Sequence, residues 1–288
     1  MQVLPISLSS NNTKKSPAFG DCAIRNGSDK LATHLTCIGR DLQVNRKMLN
    51  QYAIDLMAWD DGCEFLFCGC SDGSEVFDIF MSLAHCFFEK KQPFNYLPEF
   101  NAFDSSEQMV NIAKNGRINI SNTGMNYIRK TYPKFNFFRD EGDIIHHKGD
   151  NIEELERKIG SKVGHSYQFQ PKALEKINFY LGNMLEEFGK ITSEVCRIIF
   201  CRNVARYNSV DDQIKAAQLL DKNLKRGSLV VVGYYDEYNI MDKDNNIIEE
   251  LDRHPMSAPR LPFTDALFHG HFGHEKTISR DGLVYKKY

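Results

Sequence analysis

The amino-acid sequence predicts an α/β fold: a doubly wound, mostly parallel sheet with a small antiparallel β-subdomain inserted into it. Two observations support this prediction. Apolar segments of strand length alternate with segments in which apolar residues recur at helical spacing, beginning with 63–68 and 75–89. Such alternation is typical of a parallel sheet covered by helices. In addition, the 288 residues suffice for one large domain or for a domain with a small subdomain.

The first half of the chain supplies the first elements in order. An apolar face predicts a helix over 41–58, and the run CEFLFC at 63–68 predicts a buried strand. Helical spacing follows over 75–89, and EFNAF at 99–103 predicts the second strand. A further helix is expected to end at Gly116. Its candidate N-terminal caps are Ser105 and Ser106.

The regular alternation stops near residue 120, which predicts an inserted antiparallel β-subdomain over about 120–180. A charged helical segment, 152–159, and two β-like runs, 165–170 and 177–181, fall inside it. The core is expected to resume at a strand over 195–200. The remaining predicted elements are a helix over 210–225, a strand over 229–232, a polar loop over 238–262 and a last strand over 283–285.

Composition restricts the class of protein. The formal net charge is −2, so there is no global basic field to attract nucleic acid or an anionic membrane. No apolar run approaches the ~20 residues of a bilayer span, and the N-terminus has no secretory signal pattern. Eight cysteines without C-x-x-C spacing predict reduced thiols rather than disulfides. We therefore expect a cytoplasmic protein without nucleic-acid partners or membrane insertion. Separately, residues 1–33 are expected to form a flexible arm.

A glycine-rich turn, GCSDGSE at 69–75, separates the first predicted strand from its helix. Gly69 and Gly73 permit a tight turn and a close approach of the backbone to a ligand. In doubly wound folds, nucleotide-like ligands bind at this turn. The spacing is G-x-x-x-G rather than the dinucleotide fingerprint G-x-G-x-x-G, so NAD and FAD are disfavoured. A plain tight turn is the alternative interpretation.

Polar groups follow two further predicted strands. Asp104 ends the second strand, where a carboxylate can accept hydrogen bonds from a ribose diol. The alternative is that Asp104 only caps the helix it precedes. The segment FCRNVARY at 200–207 follows the strand expected near the topological switch point, so its polar groups can line a site. Here the alternative is a surface ion pair together with a partly buried tyrosine.

These segments, in order, resemble the motifs of the CheR family of S-adenosylmethionine-dependent protein-glutamate O-methyltransferases. GCSDGSE is similar to the family's G-C-S-[ST]-G-E-E, IIFCRNVARYN to its I-F-C-R-N-V-x-I-Y-F, and KNLKRGSLVVVGYYDE to its L-x-P-G-G-x-L-x-x-G-H-S-E. HLTCIGRD at 34–41 is similar to N-L-T-x-F-F-R-[DE], and YLGNM at 180–184 to the N-L pair that follows the family's β-subdomain. The closing VYKKY resembles the final V-Y-R-K strand.

The resemblance implies a class I methyltransferase, Rossmann-like fold over 34–288, with S-adenosyl-L-methionine as cofactor. The residues implied to contact the cofactor are His34, Thr36, Arg40, Glu75, Asp104, Asn183, Met184, Cys201 and Arg202. Asn183 and Met184 are expected beside the adenine. Arg40 and Tyr207 match family positions near the transferred methyl group and are the candidate catalytic residues. No metal is implied.

The implied activity is the formation of methyl esters on glutamate side chains of a protein. Glutamate has a reference pKa near ~4.3, so it is ionised at neutral pH and needs no general base. The motifs offer arginine and tyrosine rather than a proton acceptor, which favours a carboxylate over an amine as methyl acceptor. The expected partner is an acidic protein, and the cytoplasmic domain of a chemoreceptor is the candidate.

The sequence also departs from the family. About 33 residues precede the first motif, too few for the N-terminal helical domain with which family members dock on receptors. Two other functions therefore stay open: a methyltransferase with a different protein or small-acid acceptor, and a non-catalytic binding protein with the same fold. Separately, His269, His271 and His274 have a spacing that could hold zinc, although exposed loop histidines are the simpler interpretation.

Overall fold

A computed structural model describes most of the chain from residue 63 onward. The described residues are 45, 48–50, 63–93, 96–143, 145, 164–202, 204–205, 208–233, 239–241, 247–250, 262–279 and 282–288. The predicted arm 1–33 and the predicted helix 152–159 lie outside them. Of the predicted helix 41–58, the described residues 45 and 48–50 are helical, and Met48 and Leu49 are buried in the core.

Strands and helices alternate along the described chain. The strands are β1 Cys63–Cys68, β2 Glu99–Asp104, β3 Arg117–Ser121, β4 Phe138–Gly142, β5 Gly164–Phe169, β6 Ile177–Leu181, β7 Cys196–Cys201, β8 Leu229–Gly233, β9 Asn239–Met241, β10 Ile247–Glu250, β11 Phe272–Ser279 and β12 Gly282–Lys287. The helices are α1 Ser74–Glu89, α2 Glu107–Asn115, α3 Asn122–Thr131, α4 Pro171–Leu174, α5 Met184–Lys190, α6 Val210–Asn223 and α7 Pro262–His269.

The main sheet has seven strands in the order β11-β12-β8-β7-β1-β2-β6. The strands from β8 to β6 run parallel to one another, and β12 is antiparallel to both of its neighbours. The order reverses at β1, which has β2 on one side and β7 on the other. This arrangement confirms the predicted mostly parallel sheet, and it places the topological switch point between β1 and β7.

Successive side chains of β1 point to opposite faces and belong to two different cores. Phe65 and Phe67 enter the core that α1 covers, whereas Leu66 and Cys68 enter the core that α5, α6 and α7 cover. Because helices cover both faces, the sheet is doubly wound, as predicted. On the α1 side, Phe67 stacks on Phe200 of β7 with ring centroids 4.7 Å apart.

The inserted subdomain is a three-stranded antiparallel sheet in the order β3-β5-β4, with α3 between β3 and β4. The assignment of 177–181 to this subdomain was wrong, because β6 pairs in parallel with β2 at the edge of the main sheet. An edge strand has one partner and alternates buried and exposed residues, here Ile177 and Phe179 against Asn178. That alternation looks like an antiparallel strand in sequence.

The C-terminal region also differs from the prediction. The predicted polar loop 238–262 contains an antiparallel pair, β9 and β10, and the sequence did not predict α7 or β11. Among the described residues, β11 (FGHEKTIS) pairs with β12 alone and ends the strand order, a position at which polar residues are tolerated.

None of the helices in the described ranges combines the length and the apolar character of a membrane span. The six described cysteines carry free thiols.

Candidate cofactor site

The candidate site lies where β1, β2, β6 and β7 end. These four strands are neighbours in the sheet and parallel, so the loops that follow them gather at one edge. The site includes the switch point, where ligands bind in open α/β sheets. All of the described residues among the predicted cofactor contacts lie on these strand ends or on the loops and helix starts that follow them.

The turn after β1 contains two glycines in the left-handed region. Gly69 has φ +67° and Gly73 has φ +86°, a conformation that residues with a Cβ rarely adopt. A Cβ on Gly69 would lie 2.5 Å from Cγ2 of Val204, and one on Gly73 would lie 3.0 Å from the ring of Phe77. A side chain at either position would therefore collide with protein, so the turn requires glycine at both.

An ion pair joins the same turn to the segment after β7. Arg202 Nη1 donates to Glu75 Oε1 at 2.7 Å, and the guanidinium side chain is only 6% exposed. Glu75 lies in the first turn of α1, where the helix dipole also favours a negative charge. Together with the Gly69–Val204 contact, the pair clamps the first turn to the segment that begins at Arg202.

Asp104 is buried, with 7% exposure, and it connects the turns after β1 and β2. Its Oδ2 accepts from the backbone N–H of Ser71 at 2.8 Å, and its Oδ1 accepts from that of Ser106 at 2.9 Å. Ser106 itself caps α2 by accepting from Met109 N. The carboxylate thus holds the turns after β1 and β2 together.

The turn after β6 lies beside Asp104. The N–H of Gly182 donates to the Asp104 carbonyl oxygen at 3.0 Å, and Asn183 caps α5 by accepting from Glu186 N at 3.0 Å. Asn183 is exposed, whereas Met184 is buried in the core beneath α5. Only Asn183 of this predicted adenine pair is open to a ligand in the structure.

Two thiols border the site, and both are buried. Cys201 ends β7 and lies in the core on the α6 side. Cys70 lies in the opposite core, where burial above all, with the nearby Asp104 and Asp72 carboxylates, raises the pKa of its thiol well above the ordinary value. Because a thiol attacks as the thiolate, Cys70 is not suited to act as a nucleophile.

The structure also identifies residues that the sequence analysis did not select. Leu181 ends β6 in register with Asp104 and is 57% exposed, although it is a large apolar residue. Val204 fills the space at Gly69. An apolar residue that ends a strand at a predicted site edge is a signal that could have identified Leu181 from the sequence.

The remaining predicted site residues are not described. His34, Thr36, Arg40 and Tyr207 lie outside the described residues, so their roles stay predictions. The described part of the site fits an adenosyl group. Its acidic Asp104 suits a ribose, and the exposed apolar Leu181 suits the face of a base. Glu75 is held by Arg202, so the guanidinium charge is fixed at the end of β7.

The C-terminal histidines pair with separate carboxylates. His269 Nε2 lies 3.4 Å from Asp265 Oδ1, and His271 Nδ1 lies 2.9 Å from Asp221 Oδ2. Among the described residues, no group of three or more His, Cys, Asp or Glu side chains is arranged to hold a metal ion. These pairs assign structural partners to two of the three histidines considered for zinc.

Several solved structures are similar to this chain. A StiE O-MT structure has 10% identity and a TM-score of 0.40, and the match covers 82% of this chain and 53% of that one. The N-methyltransferase NodS from Bradyrhizobium japonicum, in complex with S-adenosyl-L-homocysteine, has 8% identity and a TM-score of 0.41 over 90% of this chain and 93% of that one. An S-adenosylmethionine-dependent methyltransferase from Clostridium acetobutylicum has 11% identity and a TM-score of 0.40 over 86% and 92%.

The chain thus spans about half the length of the StiE structure. No curated protein matches its sequence. A family model does: residues 145–253 match the CheR methyltransferase, SAM binding domain. The matched segment contains Asn183, Met184, Cys201 and Arg202, whereas Glu75 and Asp104 precede it. This match confirms the resemblance to the CheR methyltransferases and, with it, S-adenosylmethionine as the cofactor of the domain.

Proposed function

We propose that the protein is an S-adenosylmethionine-dependent methyltransferase that forms methyl esters on glutamate side chains of an acidic protein. The observation that carries the cofactor part is Asp104, a buried carboxylate at the end of β2 that accepts from backbone N–H groups of the turns after β1 and β2. The turn after β1 is in turn joined to the segment after β7 by the Glu75–Arg202 pair. The family-model match over 145–253 supports the same cofactor.

The proposal of a carboxylate as methyl acceptor rests on which ionisable side chains the described part of the site contains. In the loops after β1, β2, β6 and β7, the described ionisable side chains are Asp72, Cys70 and Arg202, with Asp104 and Glu75 at their borders. No described histidine or lysine stands in these four loops to take a proton from an amine. A glutamate acceptor needs none, because it is ionised at neutral pH.

The proposed mechanism is an in-line displacement in which the protein positions the reactants. S-adenosylmethionine would supply an electrophilic methyl group, which forms a bond to a carboxylate oxygen of the acceptor as its bond to sulfur breaks, with S-adenosylhomocysteine as the leaving group. Asp104 would accept from the ribose hydroxyls, and Asn183 and Leu181 would flank the adenine. Arg40 and Tyr207 are proposed to orient the acceptor carboxylate. Positioning of this kind can supply ~7–11 kcal/mol of the barrier.

The proposed partner is an acidic protein, for which the cytoplasmic domain of a chemoreceptor is the candidate. The net charge of −2 supports the expectation that nucleic acid is not a substrate.

The test has two parts. First, calorimetric titration with S-adenosylhomocysteine is expected to show binding. Second, methyl-labelled S-adenosylmethionine is expected to label an acidic protein with methyl groups that mild base releases as methanol. Release from chemoreceptor alone would support the receptor as partner, and release from other lysate proteins would point to a different acceptor. Labelling that resists base would contradict ester formation, and absence of binding would contradict the cofactor assignment.

A further inference from the structure

A buried carboxylate lies beneath the turn that follows β6. Glu187 is in the first turn of α5, and its side chain is 9% exposed. Its Oε2 accepts from the hydroxyl of Tyr180 at 3.0 Å, and its Oε1 accepts from Lys190 Nζ at 2.8 Å. A carboxylate is costly to bury unless both oxygens are paired, and here both are.

The same carboxylate packs directly against the turn. A Cβ on Gly182 would lie 3.0 Å from Cγ and 3.1 Å from Oε1 of Glu187. On its other side, the turn is held by the Gly182 N–H, which donates to the Asp104 carbonyl oxygen at 3.0 Å. The turn is therefore fixed between Asp104 of β2 and Glu187 of α5.

The neighbouring Glu186 provides a contrast. It also contacts Lys190, at 2.7 Å, but its side chain is 56% exposed, and an exposed pair of this kind contributes little. Glu187 is different because its charge is enclosed between α5 and β6. Burial, and then the charge of Glu187, raises the pKa of the Tyr180 phenol. Tyr180 consequently stays a neutral donor to the carboxylate at ordinary pH.

We propose that Glu187 and Tyr180 are positioning residues that fix the turn at 182–183 against Asp104 and thereby determine recognition of the adenine ring. The proposal rests on the proposed function, since it assigns the adenine to this turn. Glu187 and Tyr180 act through Gly182 and Asn183 rather than by contact with the cofactor. Replacing Glu187 with glutamine keeps the shape of the side chain but removes the charge that Tyr180 and Lys190 pair with, so we expect the side chain to hold the turn less firmly.

The experiment compares two ligands that differ only at the Watson–Crick edge of the purine, where the 6-amino group and acceptor N1 of adenine become a 6-oxo group and a protonated N1. S-adenosylhomocysteine and S-inosylhomocysteine are titrated calorimetrically into wild type, Glu187→Gln and Tyr180→Phe. We expect both variants to bind S-adenosylhomocysteine roughly tenfold more weakly, a change of about 1.4 kcal/mol. S-inosylhomocysteine affinity is expected to change much less, so that the preference for adenine falls. A merely structural role would weaken both ligands equally.

Controls separate positioning from loss of fold. Glu64→Gln removes a carboxylate that pairs with Arg197 on neighbouring strands β1 and β7, and Tyr167→Phe removes a phenol in the inserted subdomain. Both controls are expected to keep the adenine preference of the wild type. If the wild type binds but neither variant changes the ratio of the two affinities, this inference is overturned. If the wild type binds neither ligand, the proposed function fails as well.

Discussion

At the scale of single residues, Asp104 joins two turns of the candidate site, where the sequence left a helix cap and a ribose contact as alternatives. It accepts from the N–H of Ser106 before α2 and also from the N–H of Ser71 in the glycine-rich turn. Ser106, rather than Asp104, caps α2, so the interpretation of Asp104 as the helix cap is wrong, and its contact with a ribose stays a prediction. The sequence predicted the position of Asp104 at the end of a strand and Ser106 as a candidate cap. The bond to Ser71 depends on the parallel pairing of β1 and β2.

Asp104→Asn is expected to lower the affinity for S-adenosylhomocysteine at least tenfold, where tenfold corresponds to about 1.4 kcal/mol of binding free energy. The amide has one acceptor oxygen, so it cannot satisfy both backbone N–H groups and a ribose diol. Calorimetry of the variant measures the loss, and Asp211→Asn, an exposed position on α6, is the matched control. Equal affinities of Asp104→Asn and wild type would remove Asp104 from the site.

Glu75→Gln is expected to reduce the free energy of unfolding by about 1.5–3 kcal/mol, because hydrogen bonds to charged groups contribute in that range. The variant leaves the buried Arg202 guanidinium beside a neutral amide. Urea unfolding measures the change. Glu107→Gln, in the exposed first turn of α2, is the control and should change stability far less. A loss no greater than that of the control would show that the pair is dispensable.

At the scale of elements, two motifs that are distant in the sequence are in contact in the structure. The turn after β1 and the segment after β7 are about 130 residues apart in the sequence. They meet because β1 and β7 are neighbours in register, which brings Gly69 against Val204 and Glu75 against Arg202. The left-handed conformation of Gly69 was predictable from the turn. Its contact with Val204 was not, since it depends on packing between distant segments.

Gly69→Ala is expected to destabilise the protein by about 1–3 kcal/mol, the range for overpacking. The new methyl group would collide with Val204. Adding Val204→Ala should recover part of the loss, and a double-mutant cycle in urea measures this coupling. Gly142→Ala is the matched control, because Gly142 also has a positive φ, +94°, but open space around it. Zero coupling between positions 69 and 204 would contradict the contact.

One strand that the sequence analysis assigned to the wrong sheet, β6, and one that it missed, β11, share a physical property. Both lie at the ends of the strand order of the main sheet, where polar residues are tolerated. Apolar patterns predicted β1, β7 and β8 well because those strands are buried on both faces. Whether an edge strand belongs to the main sheet or to the insertion depends on its partner. Local periodicity does not encode that choice.

At the scale of the whole molecule, an ion-pair cluster connects α6 to β12 and to the residue that precedes β11. Asp221 accepts from Lys287 Nζ at 2.9 Å and from both the backbone N–H and the ring Nδ1 of His271, at 3.0 and 2.9 Å. Burial alone would raise the pKa of Asp221, but hydrogen bonds from His271 and Lys287 outweigh it and lower that pKa. The carboxylate is thus stabilised in its ionised form in the folded protein.

The lowered pKa has a defined consequence for stability. Asp221 stabilises the fold at pH values above its unfolded pKa of ~3.9, and this contribution is lost as pH falls through the lower folded value. Asp221→Asn is therefore expected to be less stable than wild type at pH 7, with the difference disappearing on acidification. Urea unfolding at several pH values measures it, and Lys287→Met should reduce the same difference. A constant difference from pH 7 to pH 3 would contradict this linkage.

The two ends of the inserted subdomain meet, and its core is continuous with the core of the main sheet. The N–H of Phe169, at the end of β5, donates to the carbonyl oxygen of Gly116, which precedes β3, so the excursion of the chain closes where it opened. Ile118, Tyr132 and Phe169 of the subdomain lie in the same hydrophobic core as Phe77 of α1, and the rings of Phe77 and Phe169 stack with centroids 4.4 Å apart. The subdomain therefore supports the helix that begins at the glycine-rich turn, and replacing it with an unrelated hairpin is expected to disturb that helix.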